Sequence, residues 1–219
     1  MKCALLFFAS IMLSFAAYAN EWTALFDGKS LDGWKTAKNE APGKGWKVVD
    51  GVLHLDGYGG DILAPEEYAD FELVWTWKIS PRGNNGIKYW VTTIDKAILG
   101  PEYQMIDDKG HPDAMIGKKR STACLYDIKA ADADKPLNPV GEWNESRIVT
   151  RNGTIEHYLN GKLVCKIDTK SDEWKTLIAA SKFRNRVGYA PGKGRIMLTD
   201  HGDKTWYKEI KIRRLAPEK

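Results

Sequence analysis

The chain has 219 residues, with 33 Lys and Arg against 29 Asp and Glu, a formal charge of +4 at neutral pH, and its charges are interspersed. No basic run points to nucleic acid, and three cysteines in this length do not make a disulfide scaffold. Without the leader described next, about 200 residues remain, enough for one sizeable core and within the range of a single all-β domain spanning 20–219.

Residues 1–19 read as a secretory signal: Lys2, an apolar run from Ala4 to Ala17, then the small-residue site Ala17-Tyr18-Ala19 before Asn20. Cleavage after Ala19 is expected, with the mature protein periplasmic or secreted. The run is too short for a permanent anchor, and no later segment is apolar for long enough, so no transmembrane anchor is expected. Cys3 leaves with the leader, and Cys124 and Cys165 stay as one candidate pair.

Short alternating runs follow. Asp50-Gly51 separates Trp46 to Val49 from Val52 to Leu55 and reads as a tight hairpin turn. Phe71 to Ile79 places Phe71, Leu73, Trp75, Trp77 and Ile79 on one strand face and Glu72, Thr76 and Lys78 on the other. In Gly86 to Val91, Lys88 alternates with Ile87 and Tyr89 and shares a face with Trp90. In Gly100 to Asp108, Glu102 and Gln104 stand two apart among apolar neighbours, so both project from one sheet face, while Asp107 falls at the odd offset. The stretches 107–121 and 130–141 are the longest irregular ones. Asn152-Gly153 and Asn160-Gly161 then join three strands into a meander. Ser171 caps a helix whose Trp174, Leu177, Ile178 and Ser181 share a face. Pro191 to Gly194 turns the chain into Arg195 to Thr199 and a last strand, Trp206 to Leu215. Many short strands with one late helix predict an antiparallel sandwich of two sheets. Most of the nine tryptophans belong in its core, and a minority are candidate platforms for sugar rings.

The Glu102 and Gln104 pair is where chemistry is expected. A carboxylate buried in a sheet needs partners or a ligand, and a satisfied structural network is the bland alternative. Lys88 can pair with Glu102 or is an ordinary solvated strand lysine. His201, in Asp200-His201-Gly202, sits at a strand end from which it can reach a sheet face, although Asp-His-Gly also suits a turn in which Asp caps backbone amides. His54 and His157 lie on hairpin strands as surface or packing residues. Asp107, Asp108 and His111 form a candidate divalent-cation site, but loop aspartates are more often turn formers, and no cofactor is demanded by the sequence.

Taken in order, several segments carry a resemblance. They are Leu25 to Trp34 (LFDGKSLDGW), Gly59 to Ile62, Tyr68 to Leu73, Asn84 to Tyr89, Glu102 to Asp107, His111 to Ala114, Leu125 to Asp127, Gly141 to Asn144, Leu159 to Gly161, Ser181 to Phe183 and Asp200 to Gly202. Together they resemble the 3-keto-disaccharide hydrolase family across essentially the whole mature chain. Cys124 departs from the small residue often found before Leu-Tyr-Asp, which bears on packing. The resemblance implies a concanavalin-like jelly roll acting on glycosides whose glucose unit is oxidised at C3.

A retaining glycosidase needs two carboxylates roughly 5 Å apart, yet Gln104 and Ile106 occupy the i+2 and i+4 positions from Glu102. A 3-keto sugar needs less. Its ketone acidifies the C2 proton, so one base and one cation suffice for elimination at C1. Glu102 is the candidate base, its pKa raised by burial. Lys88 is the candidate to hold the enolate oxygen, and His201 to protonate the leaving group. Gln104, Trp90, Asp107, His111, Arg120, Tyr126, Lys182 and Asp200 complete the expected substrate site, with a glycan or small glycoside as partner. A non-catalytic carbohydrate-binding module on the same fold is the alternative.

Overall fold

A computed structural model describes residues 20–216, and the expected leader at 1–19 lies outside the described residues. Turn chemistry divides this stretch into strands as the sequence predicts. Asp50, Asn152 and Asn160 have φ of +51°, +48° and +46°, each followed by a glycine also at positive φ, the conformation of two-residue hairpin turns. These turns join β2 (Trp46–Val49) to β3 (Val52–Leu55), β9 (Asn144–Arg151) to β10 (Thr154–Leu159), and β10 to β11 (Lys162–Asp168).

The remaining strands are β1 (Thr23–Ala24), β4 (Ile62–Tyr68), β5 (Phe71–Ile79), β6 (Asn84–Ile94), β7 (Ala97–Leu99), β8 (Glu102–Ile106), β12 (Gly194–Leu198) and β13 (Thr205–Arg214). One antiparallel sheet runs β11-β10-β9-β5-β13-β3-β2 with β1 on β13. The other runs β4-β12-β6-β7 with β8 on β6. Between them lies one core. The larger sheet contributes Leu53, Leu73, Trp75, Trp77 and Ile148, and the smaller sheet Ile62, Ile87, Tyr103, Met105 and Leu198. Burying each such side chain contributes about 1.5–3 kcal/mol. Two polar atoms cross the core satisfied, because Trp77 Nε1 donates to Ser146 Oγ at 2.8 Å and Tyr103 Oη meets the same Oγ at 2.7 Å. This is the two-sheet antiparallel sandwich that the pattern predicts, in the concanavalin-like jelly-roll form that the resemblance implies.

The helix Asp172–Ala179 starts where expected, with Ser171 Oγ accepting from Trp174 N and Trp174 buried against the core. A second short helix, Pro112–Ile116, and a 3-10 turn, Lys118–Arg120, lie in the stretch read as irregular. Five residues show no periodicity in sequence, but His111 Nδ1 accepts from Asp113 N and Pro112 suits a first helical turn. Cys124 and Cys165 are both buried and free. Among the described residues no helix is long and apolar enough to cross a membrane.

Most tryptophans are core, as expected: Trp34, Trp46, Trp75, Trp77, Trp90 and Trp174 are buried. Trp143 and Trp206 lie on the outer face of the larger sheet, where Lys78 Nζ sits 4.9 and 5.1 Å from their ring centres. That face is opposite the one that carries Glu102.

Candidate active site

Alternation in β8 sends Tyr103 and Met105 into the core and turns Glu102 and Gln104 to the outer face of the smaller sheet. Register aligns the rest. Glu102 pairs with Lys88 and Gln104 with Gly86 on β6, and Lys88 pairs in turn with Met197 on β12. The acid and the lysine are thus cross-strand neighbours on one face. Gly86 makes the room, because a Cβ there would stand 2.3 Å from Glu102 Oε1. His201, three residues beyond the end of β12, reaches back over the same carboxylate.

Glu102 is 5% exposed, with Lys88 Nζ 3.9 Å from Oε2 and His201 Nε2 3.8 Å from Oε1. Both contacts exceed hydrogen-bond length. Burial pushes the Glu102 pKa up, as the sequence leads one to expect, but Lys88, His201 and Lys182 together outweigh it and hold the group below the ordinary carboxylate value. The expectation of a raised pKa is therefore corrected, since three cations converge on one acid. Proximity to Glu102 raises the His201 pKa against the opposing pull of burial. Loss of hydration lowers Lys182, with Glu102 and Asp127 acting the other way. At neutral pH the Glu102 carboxylate is ionised and faces Lys88, Lys182 and His201.

Gln104 is buried beside it. Its Nε2 donates to Asn84 Oδ1 at 3.2 Å, while its Oε1 has no protein partner. A buried acceptor left unpaired costs about 1–3 kcal/mol, so this one calls for a hydroxyl or a water. Asn84 N donates to Asp203 Oδ2, which lies 4.0 Å from His111 Nε2, so His111 joins the site at its edge.

On another side Tyr126 Oη donates to Asp113 Oδ2 at 2.8 Å, and Lys182 Nζ lies 4.1 Å from the Tyr126 ring centre. Arg120 donates to both Asp113 and Asp127, and Asp127 Oδ2 accepts from Lys182 N. Expected in the substrate site, as a reader of sugar hydroxyls or of the ketone, Arg120 instead spends its charge on two aspartates that bind Tyr126 and Lys182.

Four other expectations change. Trp90 does not share the face of Lys88: β6 places Tyr89 and Trp90 against Ile196 alone, a bulge with Trp90 at φ +48°, and both rings enter the core. Its indole Nε1 donates to Ala69 O, far from any role as a sugar platform. Asp107 is a loop clamp, its carboxylate accepting from Arg82 N, Lys109 N and Gly110 N. Asp200 is likewise engaged by backbone, accepting from Gly59 N, Gly60 N and Gly202 N. The cation site does not assemble either. Asp108 accepts from Thr122 N and pairs with Lys135, and among the described residues no three His, Cys, Asp or Glu side chains converge to hold a metal ion.

Gly86, Asn84 and Asp113 are the members of the candidate site that sequence reasoning missed. A glycine inside a strand pattern marks a close approach, and that signal was present at Gly86. For Asn84 and Asp113 only the assembled loops reveal the partners.

Residues 21–213 match the family model described as a 3-keto-alpha-glucoside-1,2-lyase-like domain. A protein of Bacteroides thetaiotaomicron named 3-keto-disaccharide hydrolase is 34% identical, over 89% of this chain and 79% of its own length. Two crystal structures from Parabacteroides distasonis, each named "putative glycosyl hydrolase", superpose closely. One has 34% identity and a TM-score of 0.81, covering 93% of this chain and 97% of its own. The other has 30% identity and a TM-score of 0.70, covering 90% and 100%. The buried carboxylate with its cross-strand lysine therefore sits in a chain that belongs to the 3-keto-alpha-glucoside-1,2-lyase-like family.

Proposed function

We propose that this enzyme cleaves glycosides whose glucose unit carries a ketone at C3, with Glu102 as base. The carrying observation is a single uncommitted carboxylate on the sheet face within 4 Å of a lysine and a histidine. Neighbouring carboxylates support no second catalytic acid, because Asp113, Asp127 and Asp200 bind an arginine, a tyrosine hydroxyl or backbone amides. Two carboxylates free to act are what an ordinary glycosidase needs.

Glu102 takes the C2 proton, and the C–H electron pair moves toward C3 to give an enolate whose oxygen Lys88 holds. The enolate collapses, C3=O re-forms, C1=C2 forms and the C1–O bond breaks. Protonated His201 delivers a proton to the departing oxygen. The products are a 1,2-unsaturated 3-keto sugar and a free alcohol. Addition of water across C1=C2 makes the net reaction a hydrolysis. The names of the relatives support this substrate class.

Mature protein incubated with a 3-keto-disaccharide is expected to convert it to the unsaturated ketone or to 3-keto-glucose, followed by mass spectrometry. Binding without turnover of any keto-glycoside would favour a carbohydrate-binding module instead. Export is part of the same proposal, supported by Lys2, the apolar run to Ala17 and the Ala17-Tyr18-Ala19 site. Protein recovered outside the cytoplasm should begin at Asn20.

A further inference from the structure

Tyr58 is 87% exposed, although the loop that carries it is held on several sides. Gly59 N and Gly60 N donate to Asp200 Oδ2, both at 2.6 Å, and Asp200 N donates back to Asp61 Oδ1 at 2.8 Å. Trp46 Nε1 donates to Gly60 O, and Gly43 N to Gly59 O. Gly59 packs so tightly on Trp46 that a Cβ there would stand 2.5 Å from its ring. A pinned backbone thus displays a large ring that contributes little to the core.

The direction of display matters. The Tyr58 ring lies along Gly202, where an added Cβ would be 2.8 Å from Tyr58 Cε1, and Gly202 follows His201 directly. The same Asp200 carboxylate that holds Gly59 and Gly60 also accepts from Gly202 N at 2.7 Å. One aspartate therefore fixes the aromatic loop and the histidine turn to each other.

We infer that Tyr58 is the platform for the leaving group, stacking on the sugar attached at C1 and selecting disaccharides over glycosides of small alcohols. This rests on the proposed reaction, in which His201 protonates the departing oxygen. The group bonded to that oxygen must lie on the His201 side of the site, and there the exposed ring stands. Tyrosine suits such a surface, offering a broad amphipathic face at low entropy cost because two χ angles fix it. Prior fixing of the loop removes most of the ordering cost on binding.

The test compares kcat/KM on a 3-keto-disaccharide with kcat/KM on methyl 3-keto-glucoside for wild type, Y58A and Y58F. The ratio is expected to fall about three- to tenfold in Y58A, chiefly through KM on the disaccharide, and to recover in Y58F, which keeps the ring. Because it is a ratio, partial misfolding of a variant cancels. An unchanged ratio in Y58A, with wild type active, overturns this inference alone. No turnover of either compound by wild type overturns the proposed reaction and this inference with it.

Discussion

Lys88 and Glu102 are direct register partners across β6 and β8, yet Nζ stops 3.9 Å from Oε2. A structural ion pair closes to about 2.7–2.9 Å. The gap leaves the lysine protons and a carboxylate lone pair uncommitted to one another, while their charges still interact. Such a separation suits the proposed reaction, in which the two groups address substituents on adjacent carbons, Glu102 the C2 proton and Lys88 the C3 oxygen.

E102Q should keep the fold and lose the reaction. Lys88 and His201 both retain access to water, so neither is stranded as a buried unpaired charge when the carboxylate goes. The amide cannot accept the C2 proton, and kcat is expected to fall by about 10²–10⁴. Steady-state kinetics with a thermal melt measure both. Turnover close to wild type would remove Glu102 from the role of base.

A subtler displacement is available at Gly86. A Cβ at that position meets Glu102 Oε1 at 2.3 Å, so G86A must move the carboxylate, the strand or both. Displacement of a catalytic group by 1 Å costs about 10²-fold in rate. G86A is therefore expected to lose about that factor in kcat while the melting temperature drops only modestly. Full activity in G86A would mean that the position of Glu102 is not critical.

The His201 pKa is raised first by Glu102, with burial opposing. Ring resonances followed by NMR should titrate above the ordinary histidine value of about 6.5. In E102Q the partner is gone while burial and the Lys88 charge remain, so the midpoint should fall below its wild-type position. For stability the sign follows: the His201 contribution is complete below the unfolded pKa and is lost as pH rises through the folded one. An identical midpoint in both proteins would show that the two groups do not interact.

Local pattern carried the sheet and half of the site. Alternation in Phe71–Ile79 and the three turn dipeptides each act within a few residues, and so does the two-residue step that turns Glu102 and Gln104 to one face. Trp90 was misplaced because one extra residue in β6 reverses side-chain parity, and nothing in Tyr89-Trp90-Val91 marks a bulge. The ionisation of Glu102 was equally hidden. It depends on Lys88, Lys182 and His201, which lie on three separate segments and act as a sum only after folding. Asp107, Asp200 and Arg120 were read as substrate-binding, but which atoms their charges serve is decided by loop backbones and loop partners.

His157 is expected to set an acid limit on the fold from within the core. It is fully buried, with Nε2 2.9 Å from Tyr89 Oη and Nδ1 3.1 Å from Ala123 O, and burial brings its pKa down to about 4. The unfolded chain binds the proton below about 6.5 and the native state resists it until about 4, so stability is complete above 6.5 and declines as pH falls between the two. The loss amounts to about 3 kcal/mol. Urea midpoints measured from pH 7 to 4 should show this slope, and H157Q, starting from a lower midpoint, should show a shallower one. Equal slopes would place the acid sensitivity elsewhere.

K88M separates the two roles assigned to Lys88. As the group that holds the enolate oxygen, its loss should lower kcat by about 10²–10³. As a neighbouring cation, it opposes the burial that pushes Glu102 upward, so without it the Glu102 pKa must rise. The base works only when ionised, and the acidic limb of kcat/KM should therefore move to higher pH in K88M. In K88R the charge remains while the geometry of the donor changes, so the limb should stay near its wild-type position even as kcat falls. A pH profile of the residual activity of all three proteins reads both effects. If the limb stays in place in K88M while kcat falls, Lys88 acts on the substrate without tuning the base; if the limb moves and kcat at its new optimum does not change, the enolate oxygen is held by another cation, for which Lys182, lying over Tyr126 and acting on the Glu102 carboxylate, is a candidate.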